Sequence, residues 1–171
     1  MGTERAPAEV APDLVHRLRA LVVELHLLGA EFARTHGLHA TDLRALICLL
    51  DAEREDRETT PTWLREQLHL NSASVTALID RLEEAGHVRR RRDLRDRRRV
   101  LIDVTADAVH LGQSFFGPAL ANATTVIGTY SAEQLQAIDS FLGDMHQAID
   151  DARTSQTTKP PTVGSRASTL T

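Results

Sequence analysis

Apolar residues recur along this chain at helical intervals, with one stretch where they alternate instead. From Asp13 onward they fall at Leu14, Leu18, Leu21, Leu25, Leu28 and Phe32, a four-three spacing that lays one stripe along a helix stopped by Gly37. Thr41 reads as the N-cap of a second helix with Leu43, Leu46, Ile47 and Leu50 on one face. Residues 53–60 (EREDRETT) read as a charged loop. Thr60 caps a short third helix, with Pro61 at its first position, where a missing N–H is harmless; Leu64 and Leu68 face inward. Asn71 caps a fourth helix, whose buried stripe is Val75, Leu78, Ile79, Leu82 and Ala85 and whose stop is Gly86. The third and fourth helices, joined at His69 and Leu70, have helix-turn-helix spacing.

The period then changes. Val88 to Arg92 and Val100 to Val104 alternate as an antiparallel pair around the turn Asp93–Arg99, and the second run has the β-branched enrichment of a paired strand. Thr105 caps a fifth helix over about 106–128, and Ser131 starts a sixth with Leu135, Ile138, Leu142, Met145 and Ile149 in register. The fold class is therefore mostly α with a small antiparallel β element. Stripes at both ends exceed what a core of about 100 residues requires. Leu14, Leu18, Leu21 and Leu25, with Leu135, Ile138, Leu142 and Met145, are expected at an interface with a second copy. Residues 1–11 read as a flexible lead and 153–171 as a disordered tail lacking apolar periodicity, leaving a single domain over 12–152.

Charge sharpens this picture. Between Arg89 and Arg99 stand eight arginines against Asp93 and Asp96, a local +6 in a chain whose net charge is −4, so the remainder carries −10. An acidic protein with one dense cationic patch has localised its attraction for polyanions. The fourth helix, just before the patch, leaves Ser72, Ala73, Ser74, Thr76, Ala77, Asp80 and Arg81 outside. Small side chains permit close approach to a duplex, and the helix N-terminus offers N–H groups to a phosphate. Ser72, Ala73, Ser74, Thr76, Ala77 and Arg81 are the expected reading face. In the turn, Arg95, Arg97, Arg98 and Arg99 are expected to grip phosphates and a minor groove, with Asp96 orienting one guanidinium. Arg89 to Arg92 alternate faces, so no more than two can meet DNA together, and the others are left to solvent or to Glu83 and Glu84.

The segment resembles the winged helix-turn-helix of the multiple antibiotic resistance regulator (MarR) family of bacterial transcription factors. The wing pattern Asp-x-Arg, then five residues, a hydrophobe and Thr, matches at Asp96, Arg98, Val104 and Thr105. The helix pattern matches at Val75, Thr76, Leu78, Ile79, Asp80, Arg81, Leu82 and Glu83. The resemblance spans roughly 12–150, with specific motifs in 60–105. It implies a winged helix-turn-helix over 41–105 flanked by dimerisation helices at 12–37 and 106–152. It further implies an obligate homodimer, double-stranded DNA as partner, Arg98 in the minor groove, and repression relieved by a small phenolic or lipophilic effector. Ala73 and Ala77 depart from the family, where Ser and Arg are common, which shifts weight from base reading toward phosphates and groove shape. Trp63 stands where relatives often have Glu; it is expected in the core, with lining a pocket as the alternative.

Other residues narrow the function. His26 and Phe115 are the candidates for an effector pocket. Cys48 lacks a well-placed cation other than Arg44 and reads as a buried thiol. The eight histidines show no metal-ligand pairing, so neither metal nor cofactor is expected. Hydrolase, kinase and dinucleotide motifs are missing, so the chain is not expected to be an enzyme. With no apolar run long enough to span a bilayer and no signal-like lead, a cytoplasmic protein is expected. Two other readings remain open: a winged-helix adaptor for an acidic protein partner, and an oxidation sensor acting through Cys48.

Overall fold

The computed structural model describes residues 7–157; the first six residues of the expected lead and positions 158–171 of the expected tail lie outside them. Six helices and two strands follow in order: α1 (Pro7–Thr35), α2 (Ala40–Arg54), α3 (Pro61–Leu68), α4 (Ser72–Glu84), β1 (Val88–Arg92), β2 (Val100–Val104), α5 (Ala106–Ile127) and α6 (Ala132–Thr157). The fold is mostly helical with a small two-stranded antiparallel sheet. Within the expected 12–152 domain the chain divides into two compact units, one ending at Gly117 and one beginning at Pro118, inside α5.

In the first unit the helix-turn-helix and the sheet share one core. Ala45, Leu46 and Leu49 of α2, Leu64 of α3, the α4 stripe Val75, Leu78, Ile79 and Leu82, and Val88 and Ile102 of the strands are all buried together. Trp63 packs against this cluster, in agreement with its expected core position, although its indole N–H finds no partner. Truncating a fully buried residue such as Leu78 to Ala would remove about 2–5 kcal/mol. At the other end of α1, Phe32 is buried and its ring meets Phe115 and Phe116 of α5.

Most helix starts follow their caps. Thr60 accepts from the Trp63 N–H at 3.1 Å, Asn71 from Ser74 at 2.8 Å, and Thr105 from Ala108 at 3.2 Å. Ser131 and Gln134 form a reciprocal box ahead of α6. Helix α4 ends at Glu84, and the chain turns away at Gly86, whose φ of 76° lies in the left-handed region that glycine tolerates. One start differs from expectation. Thr41 lies inside α2, which begins after His39, because the Asp42 carboxylate reaches back to the His39 N–H at 3.1 Å. The outer bounds differ too. Helix α1 is described from Pro7, within the expected lead, and α6 as far as Thr157, within the expected tail.

In the sheet, Val88 pairs with Val104 and Arg92 with Val100. The stretch read as a plain charged loop supplies a third edge. Ile102 donates its N–H to the Thr59 carbonyl at 3.0 Å, and the Thr59 hydroxyl donates to the Ile102 carbonyl at 2.5 Å. Buried Thr59 thus covers backbone groups of β2 that would otherwise form an open edge.

In the second unit, the apolar residues Leu120, Val126, Ile127, Ile138, Phe141, Leu142 and Ile149 stay exposed, while Leu135 and Met145 are half-buried. The N-terminal half of α1 is exposed in the same way at Leu14, Leu21 and Leu25, with Leu18 half-buried. No helix among the described residues is long and apolar enough to cross a membrane.

Candidate nucleic-acid interface

Helix α4 buries one stripe and leaves Ser72, Ala73, Ser74, Thr76 and Ala77 exposed along its N-terminal turns. Asn71 occupies the Ser74 N–H, so the Ser72 and Ala73 N–H groups at the positive end of the helix remain to meet an anion. The Thr76 hydroxyl donates to the Ser72 carbonyl at 2.9 Å, which turns its methyl and an oxygen lone pair outward. This face is narrow and uncharged.

Arg81, expected on the reading face, is held elsewhere. Its Nη2 donates to Asp42 Oδ1 at 2.5 Å, and that carboxylate, 3% exposed, also caps α2. A buried carboxylate left without a cation is expensive, so it captures the guanidinium within reach. Arg81 ties α4 to the start of α2 rather than reaching freely toward a groove.

The wing arginines separate by strand face, as alternation demands. Arg90, on the side turned to α4, donates to both Asp80 and Glu83, and its backbone N–H also bonds Glu83 at 2.9 Å. Arg89 and Arg91, on the opposite side, converge on Asp103, with Arg91 Nε at 2.9 Å. Arg99 bridges Glu58 at 3.2 Å and Asp93 at 3.0 Å. Arg99 is thus tied to Glu58 and to the aspartate that opens the tip turn, a departure from its expected phosphate grip. Among the described residues Arg92, Arg95, Arg97 and Arg98 form no ion pair, and all four are exposed.

These contacts fix carboxylate charge. The Arg90 backbone N–H, then its guanidinium, holds Glu83 below its ordinary pKa of 4.5. Hydrogen bonding from Arg91 lowers Asp103, with the nearby arginine charges adding to it. Asp93 is lowered by the backbone N–H of Arg95, against the opposing effect of burial, with further help from the Asp96 N–H and the Arg99 charge.

The wing tip is shaped by two aspartates. Asp93 Oδ1 accepts the Arg95 N–H at 2.8 Å and the Asp93 N–H bonds the Arg99 carbonyl at 3.1 Å. Asp96 Oδ1 accepts the Arg98 N–H at 3.0 Å, and its carbonyl accepts from Arg99 at 2.9 Å, closing a tight turn with Arg97 and Arg98 at its centre. Asp96 was expected to orient an arginine side chain. It holds the Arg98 backbone instead, because a short carboxylate reaches the N–H two residues on more readily than a guanidinium. Asp93, 3% exposed, was not singled out in the sequence, although Asp opening a turn is a recognisable signal.

The two candidate effector residues have different surroundings within one chain. His26 is exposed on α1, whereas Phe115 sits in a ring cluster with Phe32, His36 and Phe116. The open grooves lie elsewhere: one of about 280 Å³ is lined by residues that include Glu53, Arg57, Arg89, Arg91 and Asp103. Another, of about 430 Å³, shares Glu53, Arg89 and Val104 and reaches Val109 and His110. Cys48 is half-buried; burial first, then Asp51, raises its pKa against the weaker pull of Arg44. Among the described residues, no group of three or more His, Cys, Asp or Glu is placed to hold a metal ion.

Comparison with known proteins agrees with this geometry. Residues 36–99 match the model of the MarR family. The uncharacterized HTH-type transcriptional regulator YcgE of Bacillus subtilis is 35% identical over 152 residues, covering 88% of this chain and 96% of YcgE. The HTH-type transcriptional repressor YetL of the same organism is 27% identical over 124 residues, 72% of each chain. Among solved structures, S. aureus MepR in its DNA-binding conformation superposes with a TM-score of 0.61 at 18% identity, covering 80% of this chain and 98% of MepR.

Proposed function

This chain belongs to the MarR family of winged helix-turn-helix transcription regulators, DNA-binding proteins rather than enzymes, and we propose that it acts as a homodimeric, ligand-responsive repressor of a two-fold symmetric operator. The observation that carries the proposal is the division of the wing arginines. Four are engaged by carboxylates, Arg90 and Arg99 by groups outside the wing and Arg89 and Arg91 by Asp103 within it, and four form no ion pair among the described residues. Cations with no internal partner, next to a helix N-terminus with open N–H groups, suit a phosphate backbone. Small exposed side chains at Ser72, Ala73, Ser74, Thr76 and Ala77 suit the major groove, and Arg98, at the centre of the tip turn, suits the minor groove.

The dimer is supported by the uncovered stripes. Leu14, Leu21 and Leu25 on α1 and Ile138 and Leu142 on α6 are exposed in a single chain, more apolar surface than a monomer ordinarily leaves to water. A second copy would bury them and set two α4 helices against half-sites about 10 bp apart. Repression is suggested by YetL, named a repressor. For the effector, the grooves beside Arg89 and Arg91 are better placed than His26, since they share a wall with the wing. Their mixture of Val104, Val109 and charged groups suits an amphipathic ligand over a purely lipophilic one.

The test is a mobility-shift titration on DNA flanking the protein's own gene, against random competitor. Saturable, competitor-resistant binding by a dimer is the expected result. Capture of an acidic protein with only nonspecific DNA affinity would favour the adaptor reading instead.

A further inference from the structure

The wing tip displays one side chain that neither charge nor packing accounts for. Leu94 is 91% exposed, the highest value among the exposed large apolar residues of the described chain, where Val15 follows at 62%. It lies outside the core cluster. Most of the others stand on α1, α5 and α6, where the proposed dimer would cover them; Leu94 stands between Asp93 and Arg95 on the element turned to DNA.

Its presentation is fixed. The Arg95 N–H is tied to the Asp93 carboxylate and the Asp93 N–H to the Arg99 carbonyl, so Leu94 heads a closed local turn instead of a loose loop. The adjacent turn, closed by Asp96, carries Arg97 and Arg98 at its centre. An apolar group held at the tip among unpaired guanidiniums matches one surface in particular. The minor groove of DNA has phosphates along both rims and deoxyribose hydrocarbon on the walls between them, and side chains such as leucine are used there for apolar contact.

We propose that Leu94 packs on the deoxyribose wall of the minor groove beside the Arg98 contact, adding sequence-tolerant affinity that does not depend on salt. The proposal rests on the DNA-binding reading above. Because a leucine neutralises no phosphate, its contribution separates cleanly from that of the arginines.

The experiment uses the full chain and a short duplex selected on the wild-type protein from a randomised pool, with Kd measured by fluorescence anisotropy over a range of salt. Leu94→Asn is expected to raise Kd about tenfold when two wings engage, the scale of partly exposing two leucines, with the log–log salt slope unchanged. Leu94→Met is expected to bind like wild type. Hydroxyl-radical footprints should lose sugar protection in the minor groove at the outer edge of each half-site. An unchanged Kd for Leu94→Asn, with wild-type selection intact, overturns the leucine contact and leaves the regulator reading standing. A slope that becomes shallower along with the lost affinity overturns it as well, because Leu94 would then be shaping the wing. Failure of the wild-type protein to select any duplex overturns the DNA reading and the leucine contact with it.

Discussion

The salt dependence of DNA binding follows from which arginines are already neutralised. Counting every arginine from Arg89 to Arg99 gives sixteen cations in the proposed dimer and a log–log slope of about −14, at about 0.9 per phosphate. The ion pairs of Arg89, Arg90, Arg91 and Arg99 with their carboxylates leave Arg92, Arg95, Arg97 and Arg98 to release counterions from DNA. Eight free guanidiniums per dimer predict a slope near about −7, roughly four decades of affinity between about 50 and 200 mM salt. The decisive comparison is between two substitutions of equal charge. Arg97→Ala should make the slope shallower by about 2, one phosphate in each wing. Arg90→Ala should leave it nearly unchanged, since Arg90 is already paired with both Asp80 and Glu83 and no free cation is lost. Anisotropy titrations at four or more salt concentrations would resolve the difference. Equal effects of the two substitutions would refute the reasoning, because Arg90 would then be leaving Asp80 and Glu83 for phosphate on binding.

Arg98→Ala should weaken operator binding by roughly 1–3 kcal/mol per half-site, the scale of one good groove contact, read in the same titrations. Asp42→Ala should destabilise the fold by roughly 1–3 kcal/mol in urea unfolding, since it frees the His39 N–H and leaves Arg81 unpaired. Acid sensitivity should show two phases. Burial first, then the neighbouring His36 charge, lowers the His87 pKa from 6.5, so its neutral form is the folded one. That contribution is complete above pH 6.5 and is lost as pH falls through the lower folded value; His87→Gln should erase this phase from urea midpoints. Glu83, Asp93 and Asp103 are lowered from 4.5, 3.8 and 3.8, so their contribution is complete above those values and lost on further acidification. Peroxide should leave DNA binding unaffected and Cys48→Ser should behave as wild type, because the thiol is pushed away from the reactive thiolate.

What could be read from the sequence was periodic and local. The α4 stripe at Val75, Leu78, Ile79 and Leu82 and the strand alternation around Asp93–Arg99 each repeat with the geometry of one element, and the structure has both; Ala85, expected in the same stripe, lies past the last helical turn and is exposed. Caps at Thr60, Asn71, Thr105 and Ser131 were legible for the same reason: donor and acceptor lie within three residues. Contacts across long separations were not. Asp42 and Arg81 stand 39 residues apart and Thr59 and Ile102 stand 43 apart, and neither pair leaves a pattern in a single chain.

The acidic residues around the wing explain why charge alone overstated the grip. A strand with consecutive arginines repels itself and could not stay folded against α4 without counter-charges. Asp80 and Glu83 on α4 take Arg90 from one side and hold the ribbon to that helix, while Asp103 takes Arg89 and Arg91 from the other and ties the two strands together. The cations that remain are those farther along the ribbon, where no carboxylate side chain of the domain pairs with them. On the proposed DNA-binding reading, a wing held to α4 in this way would let phosphate contacts at the tip set the register of Ser72, Ser74 and Thr76 in the adjoining groove. Glu83→Gln should therefore reduce discrimination between operator and random duplex, while nonspecific affinity, relieved of one carboxylate, holds or rises. Equal gains for both duplexes would show that the clamp contributes charge balance and no register.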